Sequence, residues 1–205
     1  MYIGIGTGST VHYFIKALGI RCKEGLNVRA IASSKQSEKL AKESGITIVE
    51  PLPDQALDIT VDGADLVFKD RSLIKGGGGA LLREKILANA AKKFVVIVDA
   101  SKIHTDQKKV AWPVEIIPFA SALTLQAIRK LSIDGTIRLS SGTTPYLTDN
   151  GNYIFDVNCN QNGVNPHQLH SQLLALPGVM ETGFFPPIAT KIIVGTEQLT
   201  TYEFT

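Results

Sequence analysis

The 205-residue sequence contains few of the features that mark secreted, metal-binding or membrane proteins. Its two cysteines, Cys22 and Cys159, are far apart and form no CxxC pair, so neither a disulfide framework nor a cysteine metal site is expected. No apolar run approaches the length of a membrane span, and the N-terminus lacks the regions of a signal peptide. These absences predict a globular protein with free thiols in the reducing cytoplasm and no membrane partner.

The sequence also lacks an excess of charge of either sign. It carries 21 basic and 19 acidic residues, a formal net charge of +2, which argues against a dedicated nucleic-acid surface. Two of its four histidines, His167 and His170, are three apart on a predicted helix. We interpret them as solvated helix residues and expect no metal site. Because 44% of the residues are hydrophobic, the chain can bury a core without disulfides.

Short apolar segments alternate with amphipathic segments in the first half of the chain. Strands are predicted at residues 3–5, 28–32, 46–49, 57–61 and 94–98, with helices between them. This alternation predicts an α/β fold with a mostly parallel, Rossmann-like sheet and helices on both faces. We assign residues 1–112 and 186–205 to this α/β catalytic domain, with a last strand at Ala189–Gly195 returning to it.

The pattern changes after Trp112. The predicted order is strand, helix, strand, strand, helix, strand, which is typical of a smaller ferredoxin-like α+β domain, and we assign residues 113–185 to it. Asn150-Gly151 between apolar flanks predicts a hairpin over residues 147–154. Phe184 and Phe185 are expected in the core, with an interface as the alternative.

Four polar clusters follow predicted strands. They are Gly6–Thr10, Asp62–Asp65, Lys75–Gly78 and Asp99–Lys102. Ligands of open parallel sheets bind outside the carboxyl ends of the strands, so convergence of these clusters predicts one site. In the first cluster, Ser9 or Thr10 is a natural N-cap for the following helix, whose free amides would form a phosphate site.

The third cluster leads from a lysine through four glycines to a carboxylate. Gly76–Gly79 favours a loop that approaches a ligand closely, and the sequence from Ala80 is helical, which places Glu84 in the first turns of a helix. A cation, backbone amides and a carboxylate base are the parts needed to move a proton on an anionic substrate. The alternatives are a flexible joint for the glycines and a simple turn for Asp62–Asp65.

Taken together, Gly4–Thr10, Val61–Asp65, Lys75–Lys85 and Asp99–Lys102 resemble the type A family of ribose-5-phosphate isomerases in identity, order and spacing. Pro113–Glu115, Thr148–Asn152 and Leu176–Val179 extend the resemblance over nearly the whole chain.

The resemblance implies interconversion of D-ribose 5-phosphate and D-ribulose 5-phosphate in the pentose phosphate pathway, without metal or organic cofactor. It implies that Glu84 moves a proton between C2 and C1 and that Lys75 stabilises the enediolate. Asp62 would assist ring opening, and Asp65 would hold sugar hydroxyls. It also implies a homodimer or homotetramer. The substrate-binding residues that it implies are Thr7, Gly8, Ser9, Thr10, Asp62, Gly63, Ala64, Asp65, Lys75, Gly76, Gly77, Gly78 and Lys102.

The sequence departs from the family pattern in two ways. Family members usually carry a helix before the first strand, whereas this sequence begins on that strand at Met1-Tyr2. A late start of the sequence and a real loss of the helix are both open interpretations. Leu66 stands where the family commonly has glutamate, and we expect it to alter the polarity of the pocket.

Two further function classes remain as alternatives. A sugar-phosphate sensor on the same fold would bind without turnover, but it would not need Asp62, Asp65, Lys75 and Glu84 together. An amino-sugar phosphate deaminase or a coenzyme A transferase is disfavoured by the paired Asp-Gly-Ala-Asp and Lys-Gly-Gly-Gly motifs.

Overall fold

The computed structural model describes residues 1–103, 110–158, 165–198 and 201–204. His104 and Cys159 lie outside these ranges. The strands are β1 (Tyr2–Ile5), β2 (Arg29–Ala32), β3 (Thr47–Ile48), β4 (Ile59–Asp62), β5 (Leu66–Val67), β6 (Leu73–Ile74), β7 (Phe94–Asp99), β8 (Trp112–Ile116), β9 (Gly135–Ile137), β10 (Leu139–Ser141), β11 (Thr144–Pro145), β12 (Tyr153–Val157), β13 (Val179–Thr182), β14 (Phe184–Phe185), β15 (Lys191–Gly195) and β16 (Thr201–Glu203). The α-helices are α1 (Ser9–Lys23), α2 (Lys35–Glu43), α3 (Leu81–Asn89), α4 (Ser121–Lys130) and α5 (Pro166–Leu174).

The main sheet has the strand order β16-β15-β7-β4-β1-β2-β3. All neighbours in it are parallel except β15 and β16, which are antiparallel. Without the edge strand β16, this is the doubly wound order of dinucleotide-binding folds, in which chain direction across the sheet reverses between β1 and β4. The predicted α/β fold is confirmed.

Helices cover both faces of the main sheet. Ile3 and Ile5 point to one face, where they pack with Val11 and Ile15 of α1. Tyr2 points to the other face and packs with Leu87 of α3. The alternation follows from the period of two in a strand, and burial on both faces explains why β1 is apolar apart from the Tyr2 hydroxyl, which accepts from the Leu52 amide. Within the described residues, no helix combines the length and apolarity needed to cross a bilayer.

A second sheet has four antiparallel strands in the order β13-β8-β12-β9. The chain order β8-α4-β9-β12-α5-β13 with this strand order is the ferredoxin-like arrangement, as the sequence predicts. Ile116, Phe155 and Leu173 are fully buried in its core. We call this sheet, α4, α5 and the described segments that connect them (residues 112–158 and 165–182) the small module; the residue boundaries of two separate domains stay a prediction.

The local structure differs from the sequence prediction in three places. The Asn150-Gly151 turn is present, but no strand precedes it; the nearby hairpin is instead β10–β11. The strand predicted over residues 179–185 is divided into β13 and β14. β14 joins β6 and β5 in a three-stranded sheet that the sequence did not predict, because β5 and β6 are two residues each. Phe184 and Phe185 are fully buried, which favours the core interpretation.

Candidate active site

The candidate site lies where the strand order reverses. Gly6–Thr10 follows β1, Asp62–Asp65 begins at the last residue of β4, and these two strands are neighbours. One cleft at this edge contains every predicted substrate-binding residue except Asp62, together with Glu84. The lining residues are Thr7, Gly8, Ser9, Thr10, Gly63, Ala64, Asp65, Lys75, Gly76, Gly77, Gly78, Glu84 and Lys102.

The amino end of α1 opens into this cleft. The N-cap is Gly8, with φ of 119° and no side-chain capping bond, so the expectation that Ser9 or Thr10 caps the helix is wrong. Glycine adopts this backbone angle without strain. Because no side chain caps the helix, the amides of Ser9 and Thr10 have no acceptor among the described residues. Free amides at the positive end of a helix dipole are suited to bind an anion.

A buried lysine lies between two buried carboxylates at the wall of the cleft. The Lys75 Nζ is 3.0 Å from Oδ2 of Asp62 and 3.3 Å from Oε2 of Glu84. The same ammonium donates to the carbonyl of Gly63 at 2.6 Å. The side chains of Lys75 and Asp62 are 2% and 0% exposed, and that of Glu84 is 4% exposed. The arrangement is therefore dry, and its electrostatic interactions are strong.

Burial is the largest influence on the pKa values of these three side chains. Burial, followed by repulsion from Asp62, raises the pKa of Glu84 to about 8, while attraction from Lys75 opposes the rise. Burial also raises the pKa of Asp62, against Lys75 and two backbone amides. The two carboxylates raise the pKa of Lys75 against its own burial, so the lysine stays charged. Glu84 consequently holds a proton at neutral pH more readily than an exposed glutamate.

Asp62 lies beneath the cleft. Its Oδ1 accepts from the amides of Thr7 at 3.1 Å and Gly63 at 2.7 Å. Asp62 thus ties the loops after β1 and β4 together and pairs with Lys75. Its predicted contact with sugar hydroxyls stays a prediction, because the carboxylate is covered in this arrangement.

The glycine loop reaches the cleft from outside the main sheet. Lys75 follows β6, a strand of the three-stranded sheet, so the expectation that this cluster follows a strand of the parallel sheet is wrong. The loop is fixed from the cleft side by Asp65, whose Oδ2 accepts from the amide of Gly77 at 2.7 Å. Glu84 is then placed by α3, which begins at Leu81.

Two residues of the small module contact the other side of the glycine loop, and the sequence analysis missed both. Arg138 donates to the carbonyls of Gly76 and Gly77, and the hydroxyl of Tyr146 donates to that of Gly78 at 3.3 Å. Gly79 passes so close to Tyr146 that a Cβ at this position would lie 2.4 Å from the tyrosine oxygen. No spacing in the sequence indicates these contacts, because they join segments about 60 residues apart.

The other residues that the sequence analysis singled out, Leu66, His167 and His170, lie outside the cleft. Leu66 is buried in the apolar core of the small module rather than on the cleft wall, so the expected change of pocket polarity has no structural support. The His167 ring is 3.2 Å from Asp70 and is half exposed. His170 is less solvated than expected, because it is hydrogen-bonded to Thr182 at 2.8 Å and packs against Phe184. No group of three metal-ligating side chains occurs in the ranges that the structure describes.

The chain is similar to proteins of one family over most of its length. Residues 29–199 match the family model described as ribose 5-phosphate isomerase A (phosphoriboisomerase A). The sequence is 42% identical over 197 residues to ribose-5-phosphate isomerase A of Bacillus mycoides, covering 96% of this chain and 89% of the relative.

The fold is also similar to solved structures of ribose 5-phosphate isomerases. The ribose 5-phosphate isomerase of Plasmodium falciparum superposes with a TM-score of 0.93 at 29% identity, covering 99% of this chain and 89% of that chain. A D-ribose-5-phosphate isomerase in complex with phospho-erythronic acid superposes with a TM-score of 0.90 at 36% identity, covering 99% and 90%.

Proposed function

The chain belongs to the ribose 5-phosphate isomerase A family, and we propose that it interconverts D-ribose 5-phosphate and D-ribulose 5-phosphate with Glu84 as the base. The observation that carries this assignment is the single cleft in which Glu84 and Lys75 meet, with Oε2 and Nζ 3.3 Å apart. The reaction is an aldose–ketose isomerisation of the pentose phosphate pathway.

The chemistry begins at C2 of the open-chain aldose. Glu84 removes the proton from C2, and the electron pair forms the C1–C2 double bond of an enediolate whose charge rests on O1. A proton moves from O2 to O1, and Glu84 returns a proton to C1 as the carbonyl forms at C2. One carboxylate can perform both carbon transfers if its pKa lies near the working pH, and a pKa of about 8 meets this condition.

Lys75 is assigned to the developing negative charge. Its ammonium is held by Asp62 and the Gly63 carbonyl, so it does not need to reorganise when the enediolate forms. Asp65 uses Oδ2 to hold Gly77, and Oδ1 is assigned to a sugar hydroxyl. The relative that binds phospho-erythronic acid supports these roles, because a carboxylate is planar and anionic as an enediolate is.

The phosphate is assigned to the amino end of α1. The amides and hydroxyls of Ser9 and Thr10 supply donors there, and Lys102 supplies a cation on the cleft wall. In this assignment, the phosphate binds beside α1 and the reacting carbons bind beside Glu84.

The test is turnover by the purified chain with D-ribose 5-phosphate, in the presence of a chelator, with ribose as the control that lacks the phosphate. We expect ketose formation from the phosphate ester only. Glu84→Gln should abolish turnover while calorimetry still detects substrate binding. Binding without turnover by the parent chain would support the sensor alternative, and ammonia release from an amino-sugar phosphate would support the deaminase.

We further propose a homodimer or homotetramer in the cytoplasm. Exposed apolar side chains on the small module, Phe119 and Leu123 at 83% and 67% exposed, support self-association. Cys22 is a free thiol, in keeping with a reducing compartment. Light scattering of the purified chain tests the assembly, and a monomer at assay concentration would contradict it.

A further inference from the structure

The glycine loop presents its two kinds of backbone group to opposite sides. The carbonyls of Gly76, Gly77 and Gly78 all accept hydrogen bonds from the small module. In a trans peptide unit the carbonyl and the amide of the next residue point in opposite directions. Fixing the carbonyls of Gly76 and Gly77 therefore fixes the amides of Gly77 and Gly78, which must point away from the small module.

Only one of those two amides has a hydrogen-bond acceptor. The Gly77 amide donates to Asp65, whereas the Gly78 amide has no acceptor among the described residues and belongs to the cleft wall. Lys75 precedes the loop and Glu84 follows it, so the Gly78 amide is close in the chain to both groups that act on the reacting carbons. A free amide at this position is suited to the charge that develops on the sugar oxygens.

The Arg138 guanidinium, which fixes the carbonyls, is itself held in place by Asp156. The Nε and Nη2 of Arg138 donate to the two carboxylate oxygens of Asp156 at 2.8 and 2.6 Å. Its Nη1 then donates to the Gly76 and Gly77 carbonyls at 3.0 and 2.9 Å. The guanidinium also lies 5.9 Å from the centre of the Tyr146 ring. A planar guanidinium can donate hydrogen bonds to a carboxylate and two carbonyls at once. The single ammonium of lysine cannot do so in the same geometry.

We infer that Arg138, held by Asp156, is a positioning residue for catalysis: it sets the orientation of the Gly76–Gly78 peptide units so that the Gly78 amide faces the substrate. This inference rests on the proposed isomerase function. Arg138 acts through the glycine loop and does not itself line the cleft. Without it, the Gly77 carbonyl loses its partner, and the peptide unit that joins Gly77 to Gly78 becomes freer to rotate, because glycine has few steric restrictions. The Gly76 carbonyl still accepts from the Gly79 amide, and the Gly77 amide still donates to Asp65.

The matched control is Arg83, the other arginine that joins the two parts of the molecule. It donates to Asn150 Oδ1 at 2.7 Å and to the Asp149 carbonyl at 3.0 Å, and it does not contact the glycine loop. Arg83→Ala therefore removes a similar link between modules while leaving the peptide units of Gly76–Gly78 in place.

The experiment measures kcat and KM for D-ribose 5-phosphate, together with the thermal midpoint, in Arg138→Ala, Arg138→Lys and Arg83→Ala. We expect kcat to fall by up to about 100-fold in both Arg138 variants, because a misplacement of about 1 Å in the site can cost that much, with a smaller change in KM. Added guanidinium ion at millimolar concentration should restore part of the kcat of Arg138→Ala. Arg83→Ala should lower the thermal midpoint with kcat close to that of the parent.

Three results would overturn the inference. They are a folded Arg138→Ala or Arg138→Lys variant with parental kcat, a loss of kcat in Arg83→Ala equal to that in the Arg138 variants, and the absence of guanidinium rescue in a folded Arg138→Ala. Should Arg138→Ala not fold, Arg138→Lys carries the test alone. An inactive parent chain would contradict the proposed function, whereas an active parent with unaffected Arg138 variants would contradict only the role of Arg138.

Discussion

The decisive residue is a glutamate that the fold keeps out of water. Glu84 is 3% exposed and faces one cation and one further carboxylate, both also buried. Two negative groups share a single lysine, and burial raises the pKa of both, so the pair holds a proton more readily than exposed carboxylates do. Of the two, Glu84 lines the cleft. The cluster can therefore hold one mobile proton, which is the requirement of the proposed isomerisation.

The rate should rise with pH through the pKa of Glu84. The base acts only when it is deprotonated, and its pKa is about 8, so kcat/KM should increase from neutral pH to slightly alkaline pH. We expect a tenfold rise per pH unit at most below the pKa and a plateau above it. Initial rates at constant ionic strength measure this, and a profile that is flat over the whole range would contradict the assignment of the base.

The same raised pKa should reduce stability as pH increases. The folded pKa of about 8 exceeds the ordinary glutamate value of 4.5, so the folded state binds the Glu84 proton more tightly than the unfolded state. This stabilisation is complete at low pH and is lost as pH rises towards the folded pKa. Because one pKa unit corresponds to about 1.4 kcal/mol, the total loss amounts to a few kcal/mol.

Glu84→Gln should remove that dependence. The difference in free energy of unfolding between Glu84→Gln and the parent should grow in favour of the variant from about pH 5 to about pH 8. Urea unfolding at several pH values measures both free energies. A difference that stays constant over this range would show that the carboxyl titrates normally.

At the scale of elements, the site depends on close contact between the ends of β1 and β4. Gly6 follows β1, and a Cβ on it would lie 2.0 Å from Cγ of Asp62. The two loops can approach only because this side chain is missing. Asp62 then reaches the Thr7 amide and holds Lys75 in place.

Gly6→Ala should consequently disturb the cluster. The added methyl group must displace Asp62, and a displacement of about 1 Å at a reacting group costs about 100-fold in rate. Overpacking should also lower the free energy of unfolding by about 1–3 kcal/mol. The control is Gly195→Ala at the end of β15, where a Cβ would meet only an ordinary contact at 3.8 Å. Parental kcat in Gly6→Ala would mean that the position of Asp62 is unimportant for turnover.

The sequence predicted those parts of the site that follow from strand order. Gly6–Thr10 and Asp62–Asp65 could be placed together because the carboxyl ends of parallel strands share one edge. The strand before Lys75 was assigned to the wrong sheet, because a two-residue strand has no detectable periodicity. Arg138 could not be found at all, since its partners are carbonyls, which every residue has and no motif marks.

At the scale of the whole molecule, the helix that carries Glu84 is anchored to the small module. Lys85 points away from the cleft, and its ammonium donates to Oε1 of Glu181 at 2.7 Å and to two backbone carbonyls. Burial lowers the pKa of this lysine, while Glu181 opposes the change. The anchor therefore holds α3 against the small module.

Lys85→Met should therefore be strongly destabilising. It leaves the largely buried Glu181 carboxylate and two carbonyls without their ammonium partner, and breaking a buried ion pair costs about 3–5 kcal/mol. The control is Lys92→Met, because Lys92 pairs with Asp58 at 3.1 Å on the surface, where such pairs contribute about 0–1 kcal/mol. Urea unfolding of both variants measures the two changes in free energy of unfolding. Equal changes would show that the Lys85 ion pair contributes no more to stability than a surface pair.

The most direct test of the central claim, that Glu84 moves the proton beside Lys75, is the fate of the hydrogen at C2 of D-ribose 5-phosphate. The reaction is followed by NMR in deuterated water. With the parent chain, we predict that the C2 hydrogen is lost and that part of it is replaced by deuterium at C1 of the ketose. With Glu84→Gln, the substrate should still bind and the C2 hydrogen should remain. Loss of that hydrogen at the parental rate in Glu84→Gln would contradict the account.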